Sequence, residues 1–202
     1  MTARRLLLAS ANRGKLRELR AMLEAVEVLS LSDVGVGDLD EPFDDFVANA
    51  TTKAVQASTL TGLPALADDS GLAVDALGGA PGVFSARYAG AHGDDAANRA
   101  LLLERLEGVA EGARGARFRC VLALADVSGP LGPRVLMAQG ECAGVITRAP
   151  RGDGGFGYDP LFAPLGSGRT MAELRDDEKA ALSHRGRALA AMRPTLRAYL
   201  RG

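Results

Sequence analysis

The sequence is poor in several things. It has no tryptophan, six phenylalanines, three tyrosines, two cysteines and only three lysines in 202 residues. No apolar run approaches the ~18 residues that a membrane-crossing helix needs, which argues against a membrane protein. Lys and Arg total 24 against 25 Asp and Glu, a net charge of −1. A surface for nucleic acid or anionic membrane normally carries a basic excess, and there is none. Cys120 and Cys142 form no CxxC pair, so neither a disulfide framework nor a zinc site is expected. Both read as small buried hydrophobes. The start, Arg4 and Arg5 before Leu6-Leu7-Leu8, imitates a secretory leader. Its apolar run is far short of the ~7–15 residues such a leader uses. It reads as a first strand, and the expected location is the cytoplasm.

What is present is an ordinary globular composition, 47% hydrophobic and 24% charged, long enough for one domain (residues 1–202), of one or two lobes, with a sizeable core. Glycine makes up 25 of 202 residues, against a usual ~7%. It clusters at Gly78-Gly79-Ala80-Pro81-Gly82 and Gly152-Asp153-Gly154-Gly155-Phe156-Gly157, as if backbone there comes close to something. Because arginine supplies nearly all the positive charge, Lys15, Lys53 and Lys179 mark places that need a compact ammonium.

Along the chain, residues 4–9 read as a strand, Ser10 to Lys15 as a polar loop, and Leu16, Leu19, Met22, Leu23 and Val26 as a helical stripe. After an acidic stretch from Asp38 to Asp45, Phe46, Ala50, Ala54 and Ala57 mark a second helix stopped by Gly62 and Pro64. A short strand, 65–67, leads into Asp68-Asp69-Ser70-Gly71, with 72–77 extended again. Residues 94–107 read as a helix opened by Asp94 or Asp95. Residues 116–127 and 134–147 read as a hairpin turning at Ser128-Gly129-Pro130. Thr170 to Glu173 fits a capping box, followed by helix to Leu200 with a break near Ser183. The alternation predicts an α/β fold with a mixed sheet.

Four segments have residue types suited to chemistry. The loop Ser10-Ala11-Asn12-Arg13-Gly14-Lys15 precedes a helix, whose free N–H groups suit phosphate. It is not a Walker A loop, and an ordinary turn with a solvated lysine stays open. Asp68 and Asp69 at a strand end suit a hard cation such as Mg²⁺, or one of them a proton-accepting role. The acidic stretch 38–45 offers a further ligand, and a plain turn is the alternative. Phe156 among glycines reads as a ring that stacks on a base, or as a core anchor, with an acceptor nearby in Tyr158-Asp159-Pro160. Ser183 as a helix cap would put His184 and Arg185 in a first turn, where cations oppose the dipole unless an electron-rich ligand approaches. A solvated helix start is the alternative. His92 carries no metal-ligand spacing. Together these describe a nucleotide site.

The ordered set Ser10–Lys15, Ala67-Asp68-Asp69-Ser70-Gly71-Leu72, Gly78–Gly82, Ser85-Ala86-Arg87-Tyr88, Gly154–Pro160 and Ser183–Gly186 resembles the inosine triphosphate pyrophosphatase family, whose bacterial members are dITP/XTP pyrophosphatases. The resemblance spans residue 6 to about 190. It implies an elongated mixed sheet flanked by helices, in two lobes with the active site in the cleft between them. It implies hydrolysis of ITP, dITP and XTP to monophosphate and pyrophosphate, Mg²⁺ dependence and a homodimer, with no nucleic-acid or membrane partner. By position, Ser10, Ala11, Asn12, Arg13, Gly14 and Lys15 would hold the triphosphate, with Lys53 and Lys179 facing phosphate oxygens. Asp69 would be general base and metal ligand, with Asp68 and Glu41 completing the metal site. Ser70 would contact substrate; Phe156, Gly157, Tyr158 and Asp159 would enclose base and sugar; His184 and Arg185 would read the purine edge. One position departs from the family pattern: Ala48 stands where a glutamate is usual, and Asp44 or Asp45 is the candidate replacement. The alternatives are a related pyrophosphatase for modified pyrimidines and a catalytically weak nucleotide sensor.

Overall fold

In the computed structural model, which describes residues 5–23 and 26–201, short apolar runs form a six-stranded mixed sheet and amphipathic segments form five helices. The order in the chain is β1 (Arg5–Leu8), α1 (Arg13–Met22), β2 (Glu27–Ser30), α2 (Phe46–Thr61), β3 (Ala65–Val74), α3 (Asp95–Arg105), β4 (Gly115–Ala125), β5 (Val135–Ile146), β6 (Phe162–Pro164), α4 (Asp176–Leu182) and α5 (His184–Arg201). Across the sheet the order is β2-β1-β3-β4-β5-β6. Strand β1 is parallel to β2 and β3, whereas β5 and β6 are antiparallel, the mixed α/β sheet that the alternation predicts. Arg4 lies outside the described residues. None of the described helices is long and apolar enough to cross a membrane.

The chain divides into two compact units: Met1–Asp69, Cys120–Gly140 and Ala188–Gly202 in the first, Ser70–Arg119 and Glu141–Arg187 in the second. In the first unit, strand alternation sends Leu6, Leu8, Leu66, Cys120, Leu122 and Leu124 to one face, against Leu19 of α1 and Leu189, Met192 and Leu196 of α5. Leu7, Ala65, Ala67, Val121 and Ala123 point to the other, against Ala50, Ala54 and Ala57 of α2. Alanine on both sides lets α2 lie close to the strands. Lys53, spaced three residues from Ala50, shares that buried stripe. The second unit has one core, in which Leu72, Phe118, Cys142, Ile146 and Phe162 meet Leu102 of α3 and Leu106, which follows it.

Helix boundaries follow their caps. Asp45 Oδ1 accepts the Ala48 N–H at 2.8 Å, and Gly62 closes α2 with φ +66°. Asp94, not Asp95, caps α3. The break at Ser183 is present: its Oγ accepts the Gly186 N–H at 3.0 Å to open α5. Gly186 is required there because a Cβ would collide with the Ala180 carbonyl. The capping box at Thr170 opens a 3₁₀ turn, Met171–Glu173, and the α-helix starts only at Asp176. Helix α1 ends at Met22, leaving Val26 outside it.

The main correction concerns residues 65–77. The sequence suggests two strands broken at Asp68-Asp69-Ser70-Gly71, with 72–77 extended. The structure has one ten-residue strand through that motif, followed by a 3₁₀ turn, Asp75–Leu77. The acidic pair is mid-strand, not at a strand end. Its turn-forming residue types are overruled by cross-strand pairing and by side-chain partners.

Candidate functional site

Register explains the first group of residues, all in the first unit. Leu8 of β1 pairs with Leu66 of β3. β1 then ends, and the chain turns through Ser10 into α1 while β3 runs on to Asp68 and Asp69. Asn12 caps α1, its Oδ1 accepting the Lys15 N–H at 3.0 Å, and the Asn12 N–H donates to Ser10 Oγ at 3.2 Å. Ala11 and Arg13 are exposed, and Gly14 is half-buried. Lys15, in the first turn of α1, is not solvated: its Nζ is 2.7 Å from Asp68 Oδ1.

Asp68 and Asp69 face opposite ways, as neighbours in a strand must. Asp68 points to the leucine-rich face, where its Oδ2 accepts from the Cys120 thiol at 3.2 Å. Asp69 points to the alanine-rich face of α2. Lys53 Nζ reaches Glu41 Oε1 at 2.5 Å, the Asp68 carbonyl at 2.8 Å and Asp69 Oδ1 at 3.4 Å. Asp69 Oδ2 is buried with no hydrogen-bond partner among the described residues. Burial holds the Asp69 carboxyl above its ordinary range, against the opposing pull of Lys53 and Lys15. An ionised carboxylate with one unsatisfied buried oxygen is costly alone, and it favours a cation or a proton donor arriving there.

Among the described residues no three of His, Cys, Asp and Glu stand together as a metal-holding group. The expected trio of Glu41, Asp68 and Asp69 is therefore not brought together as a cage; Asp68 is engaged by Lys15 and Cys120, and Glu41 by Lys53. An oxygen donor set with one open carboxylate oxygen still fits Mg²⁺, which commonly takes one or two carboxylates and the substrate's phosphates. Asp44 and Asp45 are exposed, and Asp45 is occupied as the α2 cap.

The second group lies in the second unit. Phe156 is half-buried, with Lys179 Nζ 5.2 Å and Arg185 Cζ 5.7 Å from its ring centroid, within cation–π range. Asp159 Oδ2 accepts from the Phe156 N–H at 2.8 Å and from Lys179 Nζ at 2.6 Å. Lys179, expected among the phosphate ligands, is thus bonded to Asp159 beside the ring. Tyr158, expected around base and sugar, is a strut: its ring is in the core and its hydroxyl donates to the Ser85 carbonyl at 2.9 Å. Arg185 is 2% exposed and its Nη2 donates to Ser70 Oγ at 3.0 Å. His184 stacks face to face on Phe118 at 4.7 Å. The start of α5 is therefore buried, not solvated. His92 is exposed.

The glycine clusters differ. At Gly152, Gly154 and Gly155 a Cβ would meet the Ala172 backbone or the Asp159 carboxylate, so backbone there is in close contact. Gly78, Gly79 and Gly82 meet nothing and serve positive φ in turns. Outside both clusters, Gly71 admits the Gly82 carbonyl and Ser85 Oγ, which receives the Leu72 N–H at 2.8 Å.

Sequence reasoning missed Cys120 as a partner of Asp68; both cysteines are buried thiols outside any disulfide, and this one carries a contact. It also missed Asn49, whose amide holds both the N–H and the C=O of Phe43 at 3.0 and 2.8 Å. Asn49 is buried in the α2 stripe, and a polar residue at a core-facing helical position was the available signal.

Residues 6–195 match the model of the Ham1 family. A relative from Mycobacterium bovis named dITP/XTP pyrophosphatase is 50% identical over 204 residues, covering 98% of this chain and 98% of that protein. One of the same name from Xanthomonas campestris is 52% identical over 195 residues, covering 96% and 97%. Among solved structures, a HAM1 protein from Coxiella burnetii matches with a TM-score of 0.85 at 44% identity, over 96% of this chain and 99% of that one.

Proposed function

This chain belongs to the Ham1 family, and on that premise we propose that it hydrolyses non-canonical purine nucleoside triphosphates, ITP, dITP and XTP, to monophosphate and pyrophosphate. The observation that carries the reading is near-full-length likeness, at about half identity, to relatives named for that activity. The charged cluster around Asp69 supports the reading: Lys15 and Lys53 both donate to the Asp68 carbonyl, at 3.4 and 2.8 Å. In this reading Asp69, Lys15 and Lys53 act on the phosphates, and Phe156 and Arg185 act on the base.

Asp69 Oδ2 takes a proton from the attacking water, whose oxygen bonds to the α-phosphorus while the bond to the bridging oxygen breaks and pyrophosphate leaves. Its raised affinity for protons suits that role. Lys15 and Lys53 offset phosphate charge and orient the chain of phosphates. Mg²⁺, with Asp69 as its carboxylate ligand and Glu41 as the second candidate, would supply further charge neutralisation. Arg185 donates to the O6 of hypoxanthine or xanthine; adenine presents an amino group there, which leaves a buried donor facing a donor. A cytoplasmic homodimer completes the proposal.

The test is hydrolysis of ITP and ATP side by side, with Mg²⁺ and with chelator, resolving pyrophosphate from orthophosphate. Pyrophosphate and IMP from ITP, with little reaction of ATP and none in chelator, is the expected result. Orthophosphate and IDP would move attack to the γ-phosphorus and defeat the mechanism. In Arg185→Ala the ITP preference should collapse; an equal loss on both substrates would remove Arg185 as the base reader.

A further inference from the structure

The Phe156 ring stands between Gly155, whose backbone is packed against the Asp159 carboxylate, and Gly157, where packing leaves space. Gly157 has φ +61°, and no atom lies near where its Cβ would be. Glycines flank Phe156 on both sides in the chain, so neither adjacent residue has a side chain to restrict it. Yet three backbone groups of Phe156 and Gly157 are bonded to side chains. The Phe156 N–H goes to Asp159. The Gly157 N–H donates to Asp95 Oδ2 at 2.6 Å, and the Gly157 C=O accepts from Arg99 Nη1 at 2.8 Å.

Asp95 and Arg99 are one turn apart on α3 and face the same way. Asp95 is not needed as the helix cap, because Asp94 does that. Fixing the peptide groups on both sides of Gly157 removes the freedom of its φ and ψ, and with it the swing of Phe156. The same helix holds the neighbouring loop through Asn98, which accepts the Ala89 N–H at 2.8 Å and donates to the Ala86 C=O at 3.3 Å.

We propose that Asp95 and Arg99 are positioning residues for base recognition: as a pair they clamp the Gly157 peptide and hold the Phe156 ring at the height and tilt that a purine needs. This rests on the reading of the Phe156 loop as the base side of the site. Neither residue touches the base. The clamp acts by preorganisation, so its loss falls on binding of the base and spares binding of phosphate.

The experiment measures IMP and inorganic triphosphate affinity by calorimetry in the full-length protein, with ITP turnover in the same samples. Both clamp bonds are charge-assisted, so Asp95→Ala and Arg99→Met should each weaken IMP about tenfold and leave triphosphate unchanged. Asp95→Asn keeps an oxygen acceptor for the Gly157 N–H and should restore IMP affinity. KM for ITP should rise with little change in kcat. Unchanged IMP affinity in both variants would overturn the clamp. So would equal weakening of IMP and triphosphate, which marks a general structural role. Asp95→Asn behaving like Asp95→Ala would show that the charge at the helix start matters, not the bond, and would overturn it too. Wild-type protein that binds IMP but turns over no ITP would defeat the pyrophosphatase reading and leave this one standing.

Discussion

The functional contacts of the first unit join full charges to full charges: Lys15 with Asp68, Lys53 with Glu41 and Asp69. Those of the second unit mostly hold backbone in place around a ring: Asp159 on the Phe156 N–H, Asp95 and Arg99 on Gly157, Asn98 on the Ala86–Ala89 loop. The difference suits the two tasks proposed for these residues. Buried charges are high-stakes, since removing one partner leaves the other uncompensated. Backbone clamps are graded, because each contributes one bond to a geometry that several others share. The lysines divide accordingly: all three pair with carboxylates at low exposure, while the exposed ion pairs use arginine. The compact ammonium is kept where space is short.

The strongest way to break this comparison is Asp69→Asn. Loss of a general base costs about a hundred- to ten-thousandfold in kcat, and no other single change in the molecule should match it. Because burial raises the Asp69 pKa, the ionised side chain is unfavourable in the folded state, and the variant should lose activity without losing thermal stability. A variant that is inactive because it unfolds would show that Asp69 serves mainly to pair Lys53.

Lys15→Met is the stability counterpart. It leaves the Asp68 side chain, fully buried, without its ammonium, at a cost of about 3–5 kcal/mol by urea denaturation. Adding Asp68→Asn should recover much of that, since the pair is coupled. Additive losses would mean that the Cys120 thiol, not the lysine, carries Asp68. On the other side, Phe156→Ala should raise KM for ITP about ten- to hundredfold by loss of stacking. Inorganic triphosphate should inhibit as before. A fall in kcat at unchanged KM would make the ring a core anchor instead.

The sequence carried the parts of the fold that are local. Asp45 and Gly62 bound α2, Asp94 opens α3, and Ser183 divides the last two helices, because caps act within a turn of the residues they satisfy. The acidic motif defeated local reasoning. Asp-Asp-Ser-Gly favours a turn, but here β3, paired with β1 only as far as Leu66 and neighboured on its other side by β4, stays extended, and lysines from two helices absorb its charge. Asp69 and Phe156 stood out in the sequence through their residue type and neighbours, and the structure sets Asp69 beside Lys53 and Phe156 beside Lys179 and Arg185. The partners of Lys179 and Tyr158 were not legible, because which group a buried side chain meets is settled by contacts far away in the chain: Lys179 with Asp159, Tyr158 with Ser85. Asp95 and Arg99 look like ordinary helix surface until Gly157 is brought to them.

The smallest expected effect separates a buried carboxylate from a capping one. Glu173 Oε2 accepts the Thr170 N–H at 2.7 Å, and that backbone bond, ahead of the nearby Arg151 charge, holds its carboxyl below the ordinary value of 4.5. Its shift is opposite in sign to that of Asp69. A carboxyl with a depressed folded pKa stabilises the fold above its unfolded pKa and loses that contribution as pH falls through the folded value. Glu173→Gln can still accept the Thr170 N–H but lacks the charge. Its unfolding midpoint should therefore lie slightly below wild type at neutral pH. The two midpoints should converge as acid protonates Glu173, while ITP turnover at neutral pH stays unchanged. Convergence on raising pH instead would mean that burial, not the backbone bond, governs this carboxylate, and the contrast between the two units would lose its electrostatic basis.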